Sequence, residues 1–142
     1  MEKTMKKLNP NLMVKDVKET VEFYQKNLGF QLIMAVPETQ DGILNEIPAD
    51  KKVVYALVKN GDVEIMFQAE KSFKEDVPVL RDSQIGASCT FYIELENVED
   101  FYNSIKDKVD IVKELFTTWY GMKEFYIRDN NGYILTIAEA KK

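Results

Sequence analysis

The chain contains no histidine. That absence removes the commonest metal ligand and the side chain most used for general acid–base work. It also excludes every Ser-His or Cys-His nucleophile pair, so any proton transfer must fall to a carboxylate, a lysine or a tyrosine. Cysteine is nearly absent too. Cys89 stands alone, so no internal disulfide can form, and a reducing, cytoplasmic setting is the expectation. Strand alternation turns Cys89 away from the face that carries Thr90, which predicts a buried structural thiol. No apolar run is long enough to cross a bilayer, and the opening MEKTMKKLNP lacks the apolar stretch of a signal peptide, so no membrane association is expected. Basic charge is in deficit, with 19 Lys and Arg against 24 Asp and Glu. The cations are also scattered, which argues against a nucleic-acid partner.

What is present is the balance of an ordinary globular chain. At 142 residues, 45% of them hydrophobic and 30% charged, residues 1–142 read as one domain. A domain of that size buries roughly 68–70% of its unfolded surface and needs no covalent staples.

The clearest pattern is an internal duplication. Residues 11–30 read as a strand, an N-cap at Asp16 with Glu19 three positions on, and a helix with the apolar stripe Val17, Val21, Tyr24 and Leu28. Gly29 supplies the stop. Residues 89–111 repeat the plan, with Asn97 as N-cap, Asp100 at its third position, and the stripe Val98, Phe101, Tyr102, Ile105 and Val109. Each helix leads into strands and then an Asn-Gly hairpin, at Asn60-Gly61 and at Asn131-Gly132, where a tight I′ turn with positive φ at both residues is predicted. The plan β-α-β-β-β thus occurs twice, as module one (7–69) and module two (88–140), joined by a charged linker (70–87). Module one carries extra residues at 37–50, rich in loop formers, to lie over a cavity mouth, along a dimer seam or simply on the surface.

The segment LMVKDVKETVEFYQKNLGF resembles the opening of the vicinal oxygen chelate superfamily, which includes glyoxalase I, bleomycin-resistance proteins, fosfomycin-resistance enzymes and extradiol dioxygenases. WYGMKEFYIRDNNGYILTI is similar to its closing segment, with the usual DPDG turn written Asp129-Asn130-Asn131-Gly132. The resemblance implies an α+β fold in which two βαβββ modules form a partly open, eight-stranded mixed β-barrel around a cavity, helices outside, commonly as a homodimer. In metal-dependent members, one ligand lies seven residues before each helix N-cap and another four residues after each hairpin glycine. Those rules point to Asn9, Ile65, Thr90 and Thr136 here. Asn and Thr are weak neutral donors and Ile is none, so no metal cofactor is expected. Glu64 falls one residue out of register from Ile65, hence on the other sheet face. Glu94 shares the face of Thr90. A hard divalent ion on Glu64, Glu94 and water is the one arrangement left open, and it is disfavoured. These two carboxylates are also the only weak catalytic candidates.

Alternation along the strands assigns Asn9, Asn11, Met13, Val63, Ile65, Phe67, Thr90, Tyr92, Glu94, Ile134 and Thr136 to the cavity, with Trp119 as a rim platform and Tyr126 nearby. An apolar, aromatic pocket with a few polar groups suits a small organic ligand. The reading is therefore a metal-free binding protein of the sequestration or resistance type. Stacking would come from Trp119, Tyr92 or Phe67, and orientation from Asn9, Asn11 and Glu94, with a cationic ligand favoured by the acidic balance. The alternatives are a metal-dependent lyase, isomerase or dioxygenase resembling glyoxalase I, and an interaction subunit with a filled barrel.

Overall fold

The computed structural model describes residues 3–141. Strand β1 (Asn11–Val14) leads into α1 (Val17–Leu28), then β2 (Gln31–Pro37), β3 (Val53–Asn60) and β4 (Val63–Ala69). After α2 (Glu70–Asp76) and a 3-10 turn (Pro78–Leu80) come β5 (Thr90–Leu95), α3 (Val98–Ile105), β6 (Asp110–Thr117), β7 (Lys123–Arg128) and β8 (Ile134–Glu139). The strands build two four-stranded sheets of identical plan, ordered β1-β4-β3-β2 and β5-β8-β7-β6. In each, the first strand pairs parallel with the last and the other pairs are antiparallel. The α+β duplication is therefore present, and the two unclosed sheets fit a partly open barrel. The linker, expected as simple connection, includes α2, tied to β4 where Gln68 Nε2 donates to Ser72 Oγ (2.9 Å) and Asp76 Oδ2 (2.7 Å).

Both modules bury the helix-facing side of their sheets in one core. Val17, Val21, Tyr24 and Leu28 of α1 meet Leu12, Val14, Ile65 and Phe67, while Val98 and Ile105 join Phe125, Ile127, Leu135 and Ile137. Tyr24 is fully buried, its ring 4.8 Å from that of Phe67. Ile65 and Phe67 thus belong to the core beneath the helices and not to the cavity face expected of them. Val63 also packs against the core.

The caps differ between the halves. Asp16 Oδ1 accepts the Glu19 amide at 2.9 Å, and Gly29 closes α1 in the left-handed region at φ 70. Asn97 instead takes a left-handed conformation (φ 58, ψ 50) and its side chain caps nothing. The orphan amide of Val98 donates to Glu139 Oε2 on β8, 2.9 Å away. Neither hairpin is a I′ turn. Asn60 already pairs with Val63, so the first link is Gly61-Asp62, and Asn60 Nδ2 donates to the Leu28 carbonyl at the end of α1 (3.0 Å). In the second, Arg128 pairs with Ile134, and Asp129 accepts the Gly132 amide (3.1 Å) with only Gly132 at positive φ (94). The side chains explain both departures, because each Asn is recruited to bond a helix rather than to fill a left-handed turn position. Cys89, expected to be buried, is exposed in the bend before β5.

The second turn ties the modules together. Asp129, 5% exposed, accepts the Tyr24 hydroxyl at 2.7 Å through Oδ2 and the amides of Asn131 and Tyr133 at 2.8 and 2.9 Å through Oδ1. Asn131 accepts the Lys15 amide (3.0 Å) and donates to Thr20 (2.9 Å), and the Tyr133 hydroxyl donates to the Met13 carbonyl (2.6 Å). Burial raises the Asp129 pKa above the ordinary value despite these donors, and it raises that of Tyr24 as well.

Tyr24→Phe strips one donor from a buried carboxylate. It is expected to cost about 1–3 kcal/mol, read as a lower denaturation midpoint at unchanged m-value. Because Asp129 holds its proton more tightly folded than unfolded, its contribution is full below the ordinary aspartate pKa and is lost as pH rises through the raised one. Relative to Asp129→Asn, the wild type should therefore lose stability with rising pH across that window. A flat difference would contradict the assignment.

Candidate functional site

The face of sheet one away from the core carries Asn9, Asn11, Met13, Glu64, Met66 and Gln68. The register is set by the parallel pairing of Asn11 with Met66. Glu64 thus lies on this face, contrary to the count from the hairpin glycine. The count failed because the first hairpin link has two residues and the second five, so equal distances from the glycines reach opposite faces. Pairing gives the true counterpart: Tyr92 meets Thr136 as Asn11 meets Met66.

The polar groups of this face are already matched. Glu64 pairs with Lys7, which holds its carboxyl below the usual range, with Asn9 adding to the effect. Asn11, exposed at the strand start, donates from Nδ2 to Gln68 Oε1 at 2.9 Å. Met13 is buried.

Sheet two presents a different surface. Its outward face carries Thr90, Tyr92 and Glu94 from β5, Ile134, Thr136 and Ala138 from β8, and Glu124 and Tyr126 from β7, aligned by the pairs Tyr92–Thr136, Tyr126–Thr136 and Glu124–Ala138. Glu124 is only 2% exposed. Its Oε2 accepts two phenols, Tyr92 at 3.0 Å and Tyr120 at 3.1 Å. Desolvation, then this hydrogen bond and the Glu124 charge, push the Tyr92 pKa up to about 12. Thr90 and Thr136 share a hydroxyl hydrogen bond of 2.6 Å, with Thr136 buried. Glu94, exposed, follows Tyr92 at the strand end and also borders a groove between the modules beside Leu28, Phe30 and Asn60.

The link between β6 and β7 supplies an aromatic rim. Met122 donates to the Thr118 hydroxyl (2.9 Å) and Gly121 to the Thr118 carbonyl (2.9 Å), with Gly121 at φ 87. This turn holds Trp119 almost wholly in solvent (95% exposed), edge-on to Tyr120 at 5.1 Å. Beside it, Tyr126 and Phe116 lie 6.1 Å apart, and the Lys113 ammonium sits 4.0 Å from the Phe116 ring centre. The 37–50 segment lies elsewhere. Ala35 and Leu44 form an isolated bridge, and Asn45, Glu46 and Ile47 line a cleft of about 520 Å³ against α1 with Phe30 and Leu32.

Of the expected site residues, the structure brings together Thr90, Tyr92, Glu94, Tyr126 and Thr136, with Trp119 at the rim. Asn9 and Asn11 stay on the other sheet with Glu64, and Phe67 is in the core. Glu124, Tyr120, Lys113 and Phe116 were missed. The available signal was Glu124 two positions from Tyr126 along β7, and so on its face.

A metal centre does not fit. By register, the four corresponding positions are Asn9, Met66, Thr90 and Thr136. The two threonines satisfy each other, and the nearby carboxylate of Glu64 is matched by Lys7. Among the described residues, no three of His, Cys, Asp and Glu converge as metal ligands would.

The family model for the Glyoxalase/Bleomycin resistance protein/Dioxygenase superfamily matches residues 7–137. A protein of unknown function from Agrobacterium tumefaciens str. C58 is similar in structure, with TM-score 0.70 and 19% identity over 99% of this chain and 98% of its own. A glyoxalase/bleomycin resistance protein/dioxygenase family enzyme from Burkholderia phytofirmans PsJN gives 0.70 and 18% over 94% and 97%. A superfamily member from Sphaerobacter thermophilus DSM 20745 gives 0.69 and 14% over 96% and 98%. At these identities the likeness concerns the fold alone. No curated protein matches the chain.

Spectroscopic titration of tyrosinate, taken as wild type minus Tyr92→Phe, isolates Tyr92. Glu124→Gln should bring its ionisation down from about 12. An unmoved midpoint would mean that Glu124 does not hold the phenol.

Proposed function

The chain belongs to the glyoxalase/bleomycin resistance/dioxygenase superfamily, and from that premise we propose that it binds a small organic ligand on the outer face of sheet two, without a metal. The observation that carries this reading is Glu124, a carboxylate sunk in the sheet face and held at one oxygen by two phenols. A buried charge of this kind is expensive to maintain without a partner, and a bound cation or hydrogen-bond donor would offset that cost. Thr90 and Thr136 add hydroxyls, while Trp119, Tyr120, Phe116 and Tyr126 add ring faces on which an apolar or cationic group stacks. The donor chemistry at the four register positions supports the metal-free reading. A hydroxyl pair, a carboxamide and a thioether do not make a hard or a borderline site.

Sheet two's outer face is open in the single chain, with Tyr92 half exposed and Trp119 almost wholly so. A second copy completing the enclosure, in a homodimer, fits this exposure. The role is then sequestration of the ligand rather than turnover, since the face offers no imidazole or thiol beside the carboxylate.

Trp119 is the only tryptophan and reports directly on the site. Phenethylamine, as an aryl cation, is expected to change its fluorescence saturably, with an affinity unchanged by chelator or by added nickel, zinc or manganese. Glu124→Gln should weaken it by about tenfold or more. Binding that appears only with metal would overturn the reading.

A further inference from the structure

Among the described residues, two carboxylates on the outer face of sheet two, Glu124 and Glu94, and one ammonium, Lys113, lack a partner of opposite charge. Both tyrosine bonds to Glu124 end on Oε2. Among the described residues no donor reaches Oε1, yet no side-chain oxygen is sealed away without a partner. Oε1 is therefore the part of this nearly buried group that remains open to the face. Lys113 stands across the β6–β7 pair from Tyr126, and Phe116 across from Glu124 itself. The Lys113 ammonium rests over Phe116 at 4.0 Å and lies 5.7 Å from the Tyr126 ring centre, and no described carboxylate comes within 4.0 Å of it. The other basic group on this face, Arg128, is engaged by Asp110 at 2.6 Å. The remaining acid, Glu94, is exposed at the far end of β5.

We propose that the site is built for an aryl zwitterion, whose cationic nitrogen donates to Glu124 Oε1 and whose anionic group accepts from Lys113. Two features favour this over a simple cation site. The ammonium and the carboxylate sit on adjacent strands within the span of one small ligand, since residues two apart on a strand are only about 7 Å apart. Lys113 carries its charge on a long, rotatable stem. A resting contact with aromatic rings is weak and readily exchanged for a charge-assisted hydrogen bond to a ligand anion. The rings that Lys113 vacates, with Trp119 and Tyr120, then become available to the aryl group.

This inference rests on the proposed binding role of the same face. Its test is a matched trio followed by calorimetry and Trp119 fluorescence: phenylalanine, phenethylamine and 3-phenylpropionate, the last two lacking one charge each. Phenylalanine should bind about tenfold or more tighter than either. Lys113→Met should reduce it to the level of phenethylamine, and Glu124→Gln to the level of 3-phenylpropionate, with both variants keeping the wild-type thermal transition. If phenethylamine equals phenylalanine, or Lys113→Met leaves phenylalanine unaffected, the zwitterion assignment fails while the binding role stands. If none of the three binds, both fail.

Discussion

Burying a carboxylate is unfavourable unless its lone pairs are met, and the way Asp129 is met organises this molecule. Its donors come from two places: amides of its own turn, and the Tyr24 hydroxyl, 105 residues earlier in the chain. The turn cannot satisfy itself without α1, and α1 cannot bury Tyr24 without an acceptor. Each half therefore completes the other. The same turn supplies Asn131 to the start of α1 and Tyr133 to β1, so one short loop sets how module two sits on module one. With the helix-facing sides joined in this way, the outer faces of the sheets remain for other work.

The two outer faces have diverged. On sheet one, Glu64 is neutralised by Lys7, and Asn11 and Gln68 are hydrogen-bonded within the chain. On sheet two, the comparable surface keeps Glu124 with one oxygen open and surrounds it with rings. A duplicated plan thus yields one self-satisfied face and one with spare bonding capacity. That contrast is what supports the binding face proposed above, more firmly than any depression in the surface does.

Much of this was legible from residue order. The duplication, both helical stripes, the Asp16 cap, the Gly29 stop and the faces of β5 and β8 follow from periodicities of 3.6 and 2. What failed did so where a side chain served a distant partner. Asn60 and Asn131 look like turn residues, but they bond to α1. Asn97 looks like a cap, while Glu139 from another strand performs that role. The link lengths that follow from such bonds then set strand parity, so Ile65 and Phe67 were assigned to the cavity face when they pack in the core beneath the helices. Alternation could place Glu124 on the face of Tyr126, but nothing local distinguishes a buried glutamate from a solvated one. Only Tyr92 and Tyr120, brought in by the fold, make that distinction.

The isolated bridge between Ala35 and Leu44 bears on association between chains. Strand β2 ends its sheet, and an unpaired strand edge is a template on which another chain can add itself. Leu44 occupies part of that edge, and Leu44 and Ile47 anchor the covering segment in the core. At the corresponding border of sheet two, β6 breaks its ladder twice and carries Lys113 and Glu114 between the irregularities. The duplicated halves thus guard equivalent borders by different means, one by a cover and one by a bent, charged rim. Shortening the 37–50 insertion would uncover the first border and leave that half prone to edge-to-edge fibre growth.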